Sequence, residues 1–499
     1  MERLTRWSVL LFVTACLLGL GKPVATFAWT PSLNLSNDAD VPQAPDVAVA
    51  SDGTVHAVWT DTTTYEMLYS SRAVGGSWST PEVVATYANI TIFMDGDIVV
   101  TVGPDGTVHI LFADDSSGDS EIFHRSKPVG GTWSAPVNIS QAPGYRSEFP
   151  NVAVSPDGTI HAAWIGSLGN GETYYASKTP DGSWTTPIDV SNSAANEYPT
   201  RLGVGPDNSV HIVSSQEDGG PGKQNIYHYA VSGGTPSAGE NLTGTADVGR
   251  GLGAVLQTGD GTVHVLYSEN WPAEVMYLNK PACGSWSTPI NVSNNASSSW
   301  APHLAADGCG NLHATWMDDG GGATKILYAA RTTAGSWYTG VDITGGATSA
   351  STPRVAVAVP RGATTGTVEV VYADAPSGNP DVYFTEVSIT GCVPPTTTAV
   401  TGNPIVPIVG LGQSYPNPFN PETSIPVVLS RSGRVRIDVY SADGGRVRTI
   451  IDEHRVAGSF SVRWDGRDDQ GSRMASGVYF SSLVVDGKVV AARKAVLLK

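Results

Sequence analysis

Four arginines stand ahead of apolar, strand-like runs in the first 391 residues, at Arg146, Arg201, Arg250 and Arg354. A guanidinium is a planar fork that takes a carboxylate through paired hydrogen bonds, so three such forks at one point would grip an acidic substrate. Tyr145, Tyr198, Glu148 and Glu197 lie beside them, and the set is the chain's best case for catalysis. The plainer reading is that arginines at strand starts in a repeated fold pair with neighbouring rim carboxylates or stand in water.

A second group sits after another set of strands: Trp59-Thr-Asp61, Phe112-Ala-Asp114-Asp115, Gln216-Glu217-Asp218, Ser268-Glu269-Asn270-Trp271, Trp316-Met-Asp318-Asp319 and Tyr372-Ala-Asp374. Aromatic faces beside carboxylates are what a sugar-binding rim needs, stacking surfaces plus hydroxyl acceptors. Carboxylates also gather Ca²⁺, but none of these loops has the spacing of an EF-hand, so no cofactor is expected. In the plainer reading the aromatic closes a core while the aspartate caps a turn. Six histidines, His56, His109, His161, His211, His264 and His313, look like a metal ring. Each holds the same place in its own repeat, which points to a repeated packing role: a neutral imidazole wedged between sheets and bonded to backbone.

The element that must position these groups is the stretch from Pro150 to Ser191. NVAV reads as a strand, Asp157-Gly158 as a two-residue hairpin turn, TIHAAW as an alternating second strand, TYYAS as a third and PIDVS as a fourth. The histidines recur at spacings of 53, 52, 50, 53 and 49, and Glu369 marks a seventh unit in TVEVVYAD. Units of about fifty residues with four strands are the size of propeller blades. The seventh unit ends at VSITG without a fourth strand, whereas Trp29 to Ser36, WTPSLNLS, matches WSAPVNIS, WTTPIDVS and WSTPINVS. The expected fold is all-β: a seven-bladed β-propeller closed by its N-terminal strand, which removes exposed sheet edges.

The chain has 499 residues with 56 Gly, 33 Pro and 15% charged residues, the balance of a turn-rich β protein. Net charge is −17; residues 411–499 carry +4, from 13 basic against 9 acidic residues, which leaves −21 on the rest. So acidic a surface excludes nucleic acid and anionic membrane as partners. Arg3 and Arg6 followed by WSVLLFVTACLLGLG read as a secretory signal over residues 1–28 with cleavage after Ala28, and no other segment could span a membrane. Cys16, in VTAC, also fits a lipoprotein box. Cys283 and Cys309 fall in turns on the same face of adjacent units, and an exported protein would join them in a disulfide, leaving Cys392 alone.

The turns SSRAVGGSW, HRSKPVGGTW and YASKTPDGSW resemble the Asp-box, or BNR, repeat of sialidase-like propellers. Ser71, Gly75, Ser77 and Trp78 match that motif, as do Ser126, Gly130, Thr132 and Trp133, but Ala73, Pro128 and Thr179 stand where its aspartate belongs. The resemblance covers residues 29–391. It implies a propeller, and in sialidases an arginine triad, a Tyr/Glu nucleophilic pair and an aspartic acid/base on six blades. Seven units are counted here and no Arg-Ile-Pro element opens the first, so the roles carried to Arg146, Arg201, Arg250, Arg354, Tyr198 and Glu197 are an alternative. After a Pro/Thr-rich linker at 392–410, residues 411–499 read as a small Ig-like β-sandwich. Tyr415-Pro-Asn-Pro-Phe-Asn-Pro421, Trp464-Asp465-Gly466, Ser476-Gly477-Val478-Tyr479 and the terminal Lys-x-x-x-Leu-Leu-Lys resemble the type A sorting domain of type IX secretion. This part also resembles the Ig-like domain of the flagellar hook-capping protein. Together these imply an exported protein, on the outer-membrane surface or extracellular, with the secretion machinery as one partner. The favoured function is non-catalytic binding of a glycan or surface protein through Trp59, Asp61, Asp115, Glu217, Glu269, Trp271, Asp319 and Asp374. The alternatives are an exo-sialidase or other carbohydrate-active enzyme, and a structural adhesin.

Overall fold

The computed structural model describes residues 29–36, 42–86, 98–115, 118–141, 146–167, 171–218, 223–244, 250–269, 272–320, 322–333, 335–345, 349–358, 365–375, 380–390, 410–411, 414, 417–429, 433–455 and 458–498. Every regular element among them is a strand. Ahead of residue 391 the described strands form seven antiparallel sheets, six of them built of consecutive strands, numbered one to seven in chain order by their first long strand. Sheet three is typical, with strands Arg146–Val154, Ile160–Ser167, Gly171–Lys178 and Ile188–Asp189. Sheet seven takes Ser351–Ala358, Thr365–Asp374 and Asp381–Thr390 and adds Leu33–Asn34 as its fourth strand. There Leu33 lies opposite Phe384 and Asn34 opposite Tyr383. The first strand of each sheet lies against that of the next, and the first strand of sheet seven lies against that of sheet one.

The apolar core sits between sheets. Val58, Met67 and Tyr69 of sheet one pack on Ile98, Ile110 and Phe112 of sheet two, and comparable clusters fill the following joints. Trp59 of sheet one packs with Val371, Val382 and Phe384 of sheet seven. Each buried aliphatic or aromatic side chain contributes roughly 1.5–3 kcal/mol by leaving water.

Polar staples repeat with the sheets. In the turn after the first strand of sheet three, Ser155 N donates to Thr159 O at 2.9 Å and Gly158 N to Ser155 O at 2.8 Å. The loop is therefore Pro156-Asp157-Gly158, three residues rather than the expected two, with Gly158 left-handed at φ 84°. Ser155 Oγ donates to Asp157 Oδ1 at 2.6 Å and lies 3.1 Å from His161 Nε2; His161 Nδ1 lies 2.7 Å from the Tyr175 hydroxyl. Since the serine hydrogen is engaged, the neutral imidazole donates through Nε2–H and accepts at Nδ1. The same histidine meets Tyr69, Tyr277 and Tyr328 in sheets one, five and six, and His124 and His228 in sheets two and four. The histidines thus bond to side chains where backbone partners were expected.

The fourth strands carry a second staple, Asn/Asp-x-Ser/Thr. Ser293 Oγ accepts Val275 N–H at 2.9 Å and donates to Glu274 at 2.5 Å, while Asn291 Oδ1 accepts Asn294 N–H at 2.7 Å. Ser140 and Thr243 do the same for Ile122 and Ile226, and Ser36, in the N-terminal segment, accepts Val382 N–H. The turn tryptophans lock each sheet to its predecessor, edge-on: Trp133 on Tyr69, Trp184 on His124, Trp286 on His228, Trp337 on Tyr277 and Trp78 on Phe384. Trp29 does so for Tyr328, from the N-terminal segment.

Two expectations meet the cysteines differently. Cys283 is a free, exposed thiol, and Cys309 is disulfide-bonded, so the pair Cys283–Cys309 is not made and the partner of Cys309 lies outside the described residues. Cys16, Ala28 with its expected cleavage, the linker at 392–410 and Cys392 lie outside them as well.

Past residue 410 two further sheets face each other. One joins Gly410–Leu411, Thr423–Leu429 and Gly458–Trp464; the other joins Arg446–Arg455, Gly433–Ser441, Gly477–Val485 and Lys488–Leu497. Trp464 is wholly buried among Phe419, Ile425, Val439 and Tyr479, and its indole N–H donates to Arg467 O at 3.0 Å.

Candidate binding ring at the strand starts

The starts of the first strands share a local distortion. Their ladders shift register between Gln43 and Asp46, Glu148 and Asn151, Tyr198 and Arg201, Leu252 and Ala254, Trp300 and His303, and Ser351 and Arg354. In four of them the residue ahead of a proline is left-handed: Ala44 (φ 47°), Phe149 (54°), Ala301 (51°) and Thr352 (47°). Proline has no N–H to offer the ladder, so the strand bulges there and re-aims the residue that follows. A non-glycine residue at positive φ is strained by about 1–3 kcal/mol, a cost that the surrounding structure must offset.

The residues after the bulge bridge neighbouring sheets. Asp46 Oδ2 accepts Val100 N–H of sheet two at 2.8 Å, Asn151 Oδ1 accepts Leu202 N–H of sheet four at 2.9 Å, and His303 Nδ1 accepts Val355 N–H of sheet seven at 3.3 Å. These backbone donors belong to first strands, which end their sheets among the described strands, so the side chains satisfy them. Arg201 and Arg354 hold the same position in sheets four and seven, both buried. Arg201 donates to Gly253 O at 3.2 Å and Thr200 O at 3.0 Å; Arg354 donates to Pro353 O at 3.1 Å and lies 3.7 Å from Asp46. Burial pushes the Asp46 carboxyl up, against the opposing pull of Arg354, the Val100 and Val47 amides and Arg201. Of these two arginines, Arg354 therefore meets a carboxylate of the protein itself, while Arg201 is taken up by backbone carbonyls.

The other two do not join them among the described groups. Arg146 is half exposed and paired with Glu148, whose own carboxyl is raised by burial. The Arg250 side chain and Tyr145 lie outside the described residues. Glu197 is buried in the joint between sheets three and four, where Thr173, Gln216 (2.7 Å) and Ser193 (3.3 Å) donate to it, and burial lifts it to about 7. Tyr198 donates its hydroxyl to Glu217 at 3.3 Å, so the tyrosine is paired with Glu217 and not with the expected Glu197.

The expected rim divides by burial. Trp59 is fully buried, which removes it from any ligand. Asp61 is buried and caps its turn, accepting Thr63 N–H at 2.8 Å and Thr64 N–H at 3.1 Å. Asp374, also buried, accepts Ser349 and Ala375 N–H at 2.8 and 2.9 Å, and buried Glu269 accepts the Tyr267 hydroxyl at 3.1 Å. Those four are corrected from rim to scaffold. Asp115 and Glu217 are half-buried and Asp319 is exposed, its Oδ1 accepting Ser298 N–H at 2.7 Å; Trp271 lies outside the described residues. No group of three metal-ligating side chains occurs among the described residues.

One turn ahead of the bulge, a set of half-buried side chains shares a ladder position across sheets: Gln43, Glu148, Tyr198, Trp300 and Ser351, with Gly251 at the same place in sheet five. Two aromatics with amide, carboxyl and hydroxyl groups at one level can stack on and hydrogen-bond to a polyhydroxylated ligand. Trp300, Gln43 and Ser351 were missed in the sequence. The repeated Gln-Ala-Pro-Asp, Glu-Phe-Pro-Asn and Trp-Ala-Pro-His, with proline eleven residues before the register histidine each time, would have disclosed Gln43 and Trp300, and Ser-Thr-Pro-Arg repeats the pattern at Ser351.

The FlgD Ig-like domain model matches residues 422–487, so the chain carries that domain at its C-terminal end. No curated protein matches the sequence. Among solved structures, an ulvan lyase of polysaccharide lyase family PL25, bound to -[GlcA(1-4)Rha3S]-, is similar at 9% identity and a TM-score of 0.51, over 70% of this chain and 95% of that one. A protein of unknown function from Dyadobacter fermentans is similar at 12% identity and 0.47, over 74% and 100%. An α-L-arabinanase of Penicillium chrysogenum gives 10% and 0.43, over 73% and 98%. At such identities the likeness shows the fold alone: the chain is an all-β, propeller-like protein with a C-terminal Ig-like domain.

Proposed function

We propose that the seven sheets are blades of one β-propeller closed by its N-terminal strand, and that this propeller is an exported, non-catalytic binding module for a glycan. The observation that carries the reading is the ring of Gln43, Glu148, Tyr198, Trp300 and Ser351, partly open to solvent, above arginines already engaged by Asp46 and backbone carbonyls. Strain at the bulges supports it, since strained backbone gathers where a fold presents side chains to a ligand. A glycan array probed with the mature chain tests it: defined carbohydrates captured by the protein and lost by Trp300→Ala support the reading, and silence across the array removes it.

The second reading is a carbohydrate-active enzyme, a hydrolase or lyase. One observation favours it: Tyr198 donates its hydroxyl to Glu217, a phenol–carboxylate pair of the kind that proton transfer needs. It would share chemistry with the structurally similar ulvan lyase. Incubation with sialosides and with uronate-containing polysaccharides decides it; turnover abolished by Tyr198→Phe establishes the enzyme, and unchanged substrates exclude those activities.

For the C-terminal domain we propose export through type IX secretion, which would place the propeller at the outer-membrane surface or outside the cell. The motif residues Trp464-Asp465-Gly466 support this reading, and a reporter joined to residues 411–499 tests it in a competent host: retention in the periplasm refutes it.

A further inference from the structure

Sheet seven breaks the pairing that the other six keep. Where they set a histidine against a tyrosine or histidine of the third strand, sheet seven has Glu369, and Phe384 occupies the place of the third-strand partner. Glu369 lies directly opposite Glu386 in the ladder, and the neighbouring carboxyl adds to the upward push that burial gives Glu369. Thr367 Oγ1 donates to Glu369 at 2.6 Å. From sheet one, Arg72 reaches both carboxyl groups, 3.4 Å from Glu369 and in a short contact with Glu386. Its guanidinium lies over the Phe384 and Trp78 rings, 4.7 and 5.6 Å from their centroids.

The N-terminal strand meets this cluster through its backbone. Thr30 N donates to Glu386 O at 2.9 Å, and Glu386 N donates to Thr30 Oγ1 at 3.0 Å. One residue therefore ties together the closing strand, the last sheet and, through Arg72, the first sheet.

Among the described residues the charged groups facing Glu369 are Glu386, on the neighbouring strand, and Arg72, across the joint. One guanidinium against two ionised carboxylates would leave a buried negative charge; one proton shared by the carboxyls makes the cluster neutral. We propose that Arg72, Glu369 and Glu386 form a proton-controlled latch on the joint between last and first sheets, gripping the N-terminal strand in mildly acidic surroundings and slackening as the proton leaves. Burial is the main reason the proton is retained, lifting Glu369 from its ordinary 4.5 to about 8. The closed joint thus binds more proton than the open one between those values. Closure is strongest at or below the lower value, weakens as pH rises through the window and changes no further above about 8.

Hydrogen exchange of the full chain, corrected for the intrinsic base catalysis of exchange, reads the latch directly. Amides of residues 29–36 and 381–390 in the wild type open more readily with rising pH, by up to about tenfold per unit between pH 5 and 8, the slope for one proton released on opening. Glu369→Gln keeps a neutral hydrogen-bonding group and loses that slope. The double variant Glu369→His with Phe384→Tyr installs the pair found in other sheets, and its slope has the opposite sign or vanishes. Equal slopes in wild type and Glu369→Gln, or no slope in the wild type, overturn the proposal. The glycan array result has no bearing on it.

Discussion

At the residue scale the register histidines act as neutral connectors from the hairpin turn to the third strand. His161 links Ser155 to Tyr175, and burial lowers its pKa to about 4. Tyr175→Phe leaves the buried Nδ1 without its donor, and a thermal or denaturant melt should show a loss of about 1–3 kcal/mol. The two His–His pairs are the most acid-sensitive of these joints, because His124 and His228 are lowered to about 3 by burial first and by the partner imidazole next. An unfolded histidine takes its proton near 6.5, well above the folded value, so stability from these pairs is present above 6.5 and is lost as pH falls toward 3. His124→Tyr and His228→Tyr, which install the tyrosine used by sheets one, three, five and six, should flatten the acid limb of a melting-temperature profile. An unchanged acid limb would show that other groups govern it. This limb has the opposite sign to the Glu369 latch, so the two separate by variant even where their pH ranges overlap.

At the scale of elements, the four-strand unit is held by its turns as much as by its ladders. Gly158 is left-handed, and a Cβ there would come within 3.0 Å of Pro180 Cγ; Asn208 takes the same conformation in sheet four, at φ 65°. Gly158→Ala should therefore lower stability by more than about 1 kcal/mol, whereas Asn208→Gly should be neutral or better, and urea melts of both distinguish them. Ser293→Ala removes the acceptor of Val275 N–H and the donor to Glu274, and a loss of about 1–3 kcal/mol is expected in the same melts. Much of this was legible in the sequence. Alternation around a fixed histidine located the strands, and the likeness of WTPSLNLS to the fourth strands anticipated its place beside Asp381–Thr390. The candidate ring was less legible, because the bulge adds a residue and breaks the alternation at the very strand starts where Trp300 and Tyr198 sit. The rim reading treated aromatic-x-Asp as surface, yet strand ends in this fold tuck the aromatic between sheets and turn the aspartate back onto amides, as Trp59 and Asp61 do. Cys283 and Cys309 shared a face by topology alone, which says nothing of the distance between turns on adjacent sheets.

At the scale of the whole molecule, the described apolar core ahead of residue 391 lies in clusters between neighbouring sheets, one of which joins Trp59 to Val371 and Phe384, and residues 411–497 hold a core of their own. First strands packed one against the next fix the strand starts relative to one another, which is what the proposed carbohydrate site needs from its scaffold. The arginines belong to that scaffold, since Arg354 ties sheet seven to sheet one through Asp46 while Arg201 ties sheet four to sheet five through Gly253. Structural polar bridges thus lie past the bulge, and the proposed ligand contacts lie ahead of it. The most direct test is a calorimetric titration of the best glycan from the array against the wild type and Trp300→Ala, with melting temperatures measured alongside. The account predicts at least about a tenfold weaker affinity for Trp300→Ala at an unchanged melting temperature, the loss of one stacking aromatic being worth roughly 1.4 kcal/mol or more. An affinity that survives Trp300→Ala would contradict it.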